Sequence, residues 1–198
     1  MLLKLFNLLP LLITTLLTTT LQSTTATPTD PTINNFSKRS ASTVLNAVTT
    51  ISTQLITLNN TVTAYPGGIE GSLTALQIQA ETIQLEVDLK TAIIAAKQSA
   101  NFTDEESLSV AQAFVALEPT IASTLTTLVS RKKDFDDGLL GVASLSFLVE
   151  WDLQQLSFLS SQLGKAVLEK LSATYAALAP LVLDQISAAF ASAIAAYK

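Results

Sequence analysis

With 198 residues, 48% of them hydrophobic and only 14% charged, the chain is long enough to bury one sizeable core and leaves little polar surface to spare. Its formal charge of −5 argues against nucleic acid and against anionic membrane surfaces as partners, leaving apolar ligands, apolar solids or other proteins. There is no cysteine and no histidine, which excludes disulfides, Ser-His-Asp and Cys-His nucleophile pairs, imidazole bases and the usual zinc ligand sets.

At the N-terminus a lone cation, Lys4, precedes a Leu/Thr-rich apolar run and the small polar residues before Ala26, the pattern of a secretory signal peptide over residues 1–26. Pro10 and the threonine-rich end make the run poor as a membrane anchor, so no span is expected once the leader is gone. Its removal takes the net charge from −5 to −6, because Lys4 is its only charge. Residues 27–39 read as a linker or short propeptide: Lys38-Arg39 suits a dibasic-specific protease, or is two solvated charges ahead of a helix. Three sequons, at Asn35, Asn59 and Asn101, fit a secreted glycoprotein, and Asn101 is the best placed of them.

From Ser40 onward the pattern is helical. Val44, Val48, Ile51, Leu55, Leu58, Val62 and Tyr65 recur by fours and threes, predicting a first helix over 40–65 that ends at Pro66-Gly67-Gly68. A second helix is expected from a Ser72 cap to about Ser99, with Leu76, Ala80, Ile83, Val87 and Ile94 inward and Gln77, Glu81, Glu86 and Asp88 outward. Thr103 to Glu106 is a capping box opening a third helix, which carries Ala111, Phe114, Leu117, Ile121, Leu125 and Leu128 inward. Pro119 is expected to kink or split that helix, and Arg131-Lys132-Lys133 to close it.

A fourth helical region, from Leu139 to about Leu163, has two apolar faces. Val142, Leu145, Val149, Leu153 and Leu156 form one; Phe147, Trp151 and Phe158 fall roughly half a turn away. The second face implies a helix buried on both sides, a ligand channel, or an exposed adhesive patch. Gly164 is expected to interrupt the region before Val167, Leu171, Tyr175 and Leu178 resume the repeat. Pro180 then starts a last helix with Val182, Ile186, Ala189, Phe190, Ala193, Ile194 and Tyr197 inward. The fold class expected is all-α: a single up-and-down bundle of about five to six amphipathic helices over 40–198, with kinks near Pro119 and Gly164.

Segments 42–55, 102–125 and 184–198, read as STVLNAVTTISTQL, FTDEESLSVAQAFVALEPTIASTL and DQISAAFASAIAAYK, resemble the fungal hydrophobic surface-binding protein A family, which includes cell-wall galactomannoproteins. The resemblance covers most of the chain after Ser40. It implies a secreted or wall-associated helical bundle that adsorbs to hydrophobic surfaces and can recruit hydrolases; similar domains enclose fatty acids in an apolar tunnel. It supplies no catalytic residue and no cofactor. No Ser/Thr-rich stalk follows the domain, so covalent attachment to a wall is not expected.

The leading expectation is therefore a non-enzymatic protein that binds a long-chain lipid between its helices. Candidate lining residues are Ile51, Leu55, Leu58, Ile83, Val87, Phe114, Leu117, Ile121, Leu125, Phe147, Trp151 and Phe190, each of which ordinary core packing would also explain. Lys90 continues the Leu76 to Val87 stripe by three and is the candidate partner for a lipid carboxylate; the alternative is a lysine stem laid over an apolar face with its ammonium in water. The competing reading is an adhesin that coats apolar solids and recruits hydrolases without a defined ligand. Asp134, Asp136 and Asp137 resemble an acidic metal or glycosidase cluster, but their spacing equally suits a turn before a helix.

Overall fold

An apolar stripe six turns long can leave water only by packing on other helices, and the fold is a ring built around that requirement. The computed structural model describes residues 40–137 and 144–198, all within one compact unit, Phe36–Lys198. The expected leader (1–26) and linker (27–39), the Asn35 sequon, Lys38-Arg39 and Val142 lie outside the described residues. Among the described residues there are seven helices: α1 (Ala41–Thr63), α2 (Ser72–Gln98), α3 (Asp104–Ser130), α4 (Lys132–Asp136), α5 (Ser146–Leu168), α6 (Ala173–Ala176) and α7 (Ala179–Tyr197).

The five long helices close a ring in the order α2, α1, α3, α7, α5 and back to α2. Their directions alternate along the chain, as an up-and-down bundle requires, but neighbours in sequence are not always neighbours in space. Thr124 of α3 reaches the Leu55 carbonyl of α1 and Arg131 the Thr63 carbonyl, so α1 and α3 run parallel side by side. On the other flank of α1, Gln54 donates to the Glu81 carbonyl of α2 at 2.9 Å.

α1 follows its sequence pattern closely. Val44, Val48, Ile51, Leu55, Leu58 and Val62 are all buried, and Gly67 and Gly68, at φ 73° and 59°, take the turn that follows. The capping box of α3 is formed in full: the Glu106 amide donates to Thr103 Oγ1 at 3.2 Å and the Thr103 amide to Glu106 Oε2 at 2.9 Å.

Three expectations for α2 are corrected. Ser72 does not cap α2; Gly71 holds that position, and the Ser72 hydroxyl donates back to the Ile69 carbonyl at 2.7 Å. The inward face of α2 is Ile78, Thr82, Leu85, Leu89, Ala92 and Ala96, whereas Leu76, Ala80, Ile83, Val87 and Ile94 point to solvent. α2 carries two rival stripes, and its seam with α1 selects between them. There Glu81, expected outside, is half-buried and accepts from Thr61 at 3.0 Å and Gln77 at 2.8 Å.

Neither interruption splits its helix. α3 runs unbroken through Pro119; the missing amide deprives the Val115 carbonyl of its donor on an exposed side, where water can serve it. α5 runs unbroken through Gly164, whose purpose is proximity: a Cβ there would meet Leu183 Cδ2 at 2.5 Å. Lys132 and Lys133 start α4 rather than ending α3, and Arg131 alone occupies the cap between them.

Candidate functional site

The interior space lies along the axis of the ring and on one side of it. All five long helices contribute to a narrow axial slot of about 40 Å³, walled by residues such as Ile51, Leu89, Phe114, Leu156 and Phe190. A second hollow, about 370 Å³, opens between the first half of α3, the end of α5, α6 and the start of α7, lined by Val110, Phe114, Val167, Leu171, Val182 and Leu183 among others. Neither space is lined by a lysine, arginine, aspartate or glutamate. A third hollow of about 300 Å³ occupies the α5–α7 seam and has a mixed lining, in which several serines, Lys165 and Asp184 stand beside Leu168, Leu183, Ile186 and Phe190.

Leu183 belongs to all three hollows, and Phe114 to the first two. Gly164 lets Leu183 sink against α5, so these two side chains form a partition between the axial slot and the wider lateral space. A slot of about 40 Å³ admits a water molecule or a methyl group but no alkyl chain. The lateral space falls in the size range of small-molecule pockets.

Eight of the expected lining residues face the axial slot: Ile51, Leu55, Leu58, Phe114, Leu117, Ile121, Leu125 and Phe190. Four do not. Ile83 and Val87 went outward with the rejected stripe of α2, and Phe147 and Trp151 are 63% and 53% exposed. With Phe158 they leave α5 an aromatic outer face rather than a channel wall. Lys90, on the same outward stripe as Val87, pairs with Glu86 at 3.0 Å on the surface and reaches no hollow. Its assignment as carboxylate partner is withdrawn on that geometry.

Leu85 and Leu89 were missed because they stand on the α2 stripe passed over. Leu183 was missed because it lies beside Val182 and off the inward line of α7; the signal for it was Gly164, which fits a close approach as well as a break.

The polar groups elsewhere are structural. Asp136 accepts from Lys132 Nζ at 2.6 Å and from Ser144 and Ser146, tying α4 to the start of α5. The bonds from Lys132 and Ser146 hold its carboxyl below the usual range. Asp134 pairs with Arg131 at 3.3 Å, and among the described residues no group of three Asp, Glu, His or Cys side chains is disposed to hold a metal ion. Asp152 is buried in α5 against α2; desolvation, opposed by a 3.4 Å hydrogen bond from Gln79 and reinforced by the charge of Glu86, pushes its pKa up to about 7. Of the two described sequons, Asn101 is exposed, whereas Asn59 is half-buried with its Oδ1 unpartnered.

A closed helical ring around apolar space, with one side hollow and no charged lining, defines a bundle built to leave room inside. The profile of the family described as hydrophobic surface binding protein A matches residues 41–169, and the chain belongs to that family. Among solved structures it is similar to AfMP4p in complex with palmitic acid, at 31% identity and a TM-score of 0.74, covering 80% of this chain and 99% of that one. Ligand binding domain 1 of the Penicillium marneffei MP1 protein, complexed with arachidonic acids, shares the fold at 18% identity and a TM-score of 0.71, over 80% of this chain and 99% of that one. Domain 2 of the same protein, complexed with multiple arachidonic acids, gives 19% and 0.71, over 79% and 94%. No curated protein sequence matches the chain.

Proposed function

We propose that the protein is a secreted, non-enzymatic carrier that holds the alkyl chain of a long-chain lipid, a fatty acid above all, between α3, α5 and α7. The observation that carries this reading is the lateral hollow of about 370 Å³ with apolar walls. A relative at 31% identity was solved with palmitic acid, which supports the same ligand class. Burying a methylene is worth about 0.8 kcal/mol, so a sixteen-carbon chain supplies on the order of 10 kcal/mol before ordering costs. That drive needs no polar anchor. Full engulfment requires Phe114 and Leu183 to swing aside, joining the lateral hollow to the axial slot.

Native mass spectrometry of the delipidated protein titrated with palmitate tests this. Uptake that saturates at one or two molecules supports it; a spectrum without retained lipid at any ratio rejects it. Secretion is part of the proposal and rests on residues 1–26; a culture-medium protein retaining Met1 by intact mass is incompatible with it.

A second reading, adsorption to apolar solids with recruitment of hydrolases, is favoured by one observation. Leu73, Leu76, Ile83, Val87 and Ile94 on α2, with Phe147, Trp151 and Phe158 on the adjoining α5, are exposed, far more large apolar residues than a soluble surface requires. Replacing Phe147, Trp151 and Phe158 by serine lowers retention on hydrophobic beads if this face adheres, and leaves palmitate uptake intact.

A further inference from the structure

We infer that the seam between α5 and α7 is the headgroup subsite, where Lys165 takes the carboxylate of a bound fatty acid. This rests on the proposed lipid binding and adds to it the location and chemistry of the polar end.

A fatty acid is amphiphilic, and its carboxylate cannot follow the chain into space that offers it no partner. The axial slot and the lateral hollow have no cationic side chain on their walls. The seam hollow differs on that point. It shares Ser160, Leu183, Ile186 and Phe190 with the axial slot, and Leu168 and Leu183 with the lateral hollow, so both apolar spaces end at its floor. Ser157, Ser161 and Ser187, which bear hydroxyls, and Lys165, which carries an ammonium, also line the seam hollow. Ser160, on the threshold, faces both the slot and the seam.

Lys165 is exposed, and the ion pairs among the described residues engage Lys90, Arg131 and Lys132 instead. Asp184 lines the same seam without pairing to Lys165. It is the one carboxylate there and opposes an incoming anion. An apolar passage leading to a mouth with one ammonium and several hydroxyls matches a carboxylate attached to a hydrocarbon chain. The ammonium supplies charge and the serines supply hydrogen bonds, while the chain lies on the Leu183 and Phe190 side.

The test compares sodium palmitate with 1-hexadecanol, which has the same chain without the charge, on the full-length protein near neutral pH. Lys165→Met should weaken palmitate about three- to fivefold, the range for one partly solvated ion pair, and leave hexadecanol unchanged, while Lys165→Arg retains wild-type palmitate affinity. Asp184→Asn should move palmitate the other way, about twofold tighter, again without effect on hexadecanol. Equal changes for both ligands in Lys165→Met, or no change for either, overturn the subsite while leaving lipid binding standing. Failure of the wild-type protein to bind either ligand overturns lipid binding and the subsite together.

Discussion

Where α1, α3 and α7 finish, Tyr65 stacks on Phe135 at 4.6 Å, Tyr197 meets the edge of Phe135 at 6.3 Å, and the Tyr197 hydroxyl donates to the Leu128 carbonyl at 2.6 Å. At the opposite end, α6 buries none of its residues, Leu178 and Leu181 stand in water, and the lateral hollow separates helices that elsewhere touch. The first end is plugged by three large stacked or edge-on rings, the hydroxyl of Tyr197 among them satisfied by a backbone carbonyl, an economical way to finish a core. The second stops short of filling itself. A bundle plugged at one end, with α6 and the start of α7 poorly buried at the other, can move those segments around a guest while the plugged end stays closed.

That contrast can be broken by substitution. Phe135→Ala removes the centre of the plug and should cost about 3–5 kcal/mol in chemical denaturation, whereas Leu178→Ala, at the loose end, should cost under about 0.5 kcal/mol. Equal losses would erase the distinction between the ends.

Asp152 lies in the half of α5 nearer the plug and makes that half sensitive to pH. Its pKa of about 7 lies above the unfolded value of 3.8, so the folded state binds the extra proton between them and stability falls as pH rises through 7. Asp152→Asn should therefore stabilise the protein at pH 8, by up to about 4 kcal/mol, and flatten the slope of stability between pH 4 and 8. Melting curves across that range decide it; an unchanged slope contradicts the assignment.

Gly164→Ala drives a methyl against the end of the Leu183 side chain, which can turn aside, and alanine favours the helix, so the net cost should be under about 1 kcal/mol, with most of any loss recovered in the Gly164→Ala, Leu183→Ala double variant. Strict additivity would mean the partition is not where the strain goes. Thr103→Ala, at the loose end, removes one half of the capping box and should lower stability by about 1 kcal/mol by thermal melting.

Local chemistry made much of this legible in the sequence. The α1 stripe has no rival on its own helix, the capping box needs only residues three apart, and Pro180 starts α7 by its fixed φ. Eight of the twelve lining residues expected from such stripes face the slot. What was not legible depended on partners distant in the chain. α2 offers two apolar faces, and only the seam with α1 reveals which is buried, so Lys90 was aimed at the interior by a stripe that looks outward. Gly164 could be either a break or a close approach until Leu183 was seen above it. The aromatic face of α5 is amphipathic in the wrong sense for a core helix, and no spacing rule foretells that α2 leaves it uncovered.

The central claim is that the loose end receives the lipid, and Val182→Trp, which fills the lateral hollow, tests it most directly when palmitate uptake is followed by native mass spectrometry beside melting temperature. The account predicts a protein that melts within a few degrees of wild type and no longer retains palmitate, while Trp151→Ala on the outer face retains it in full. Undiminished, saturable palmitate uptake by Val182→Trp would contradict the account.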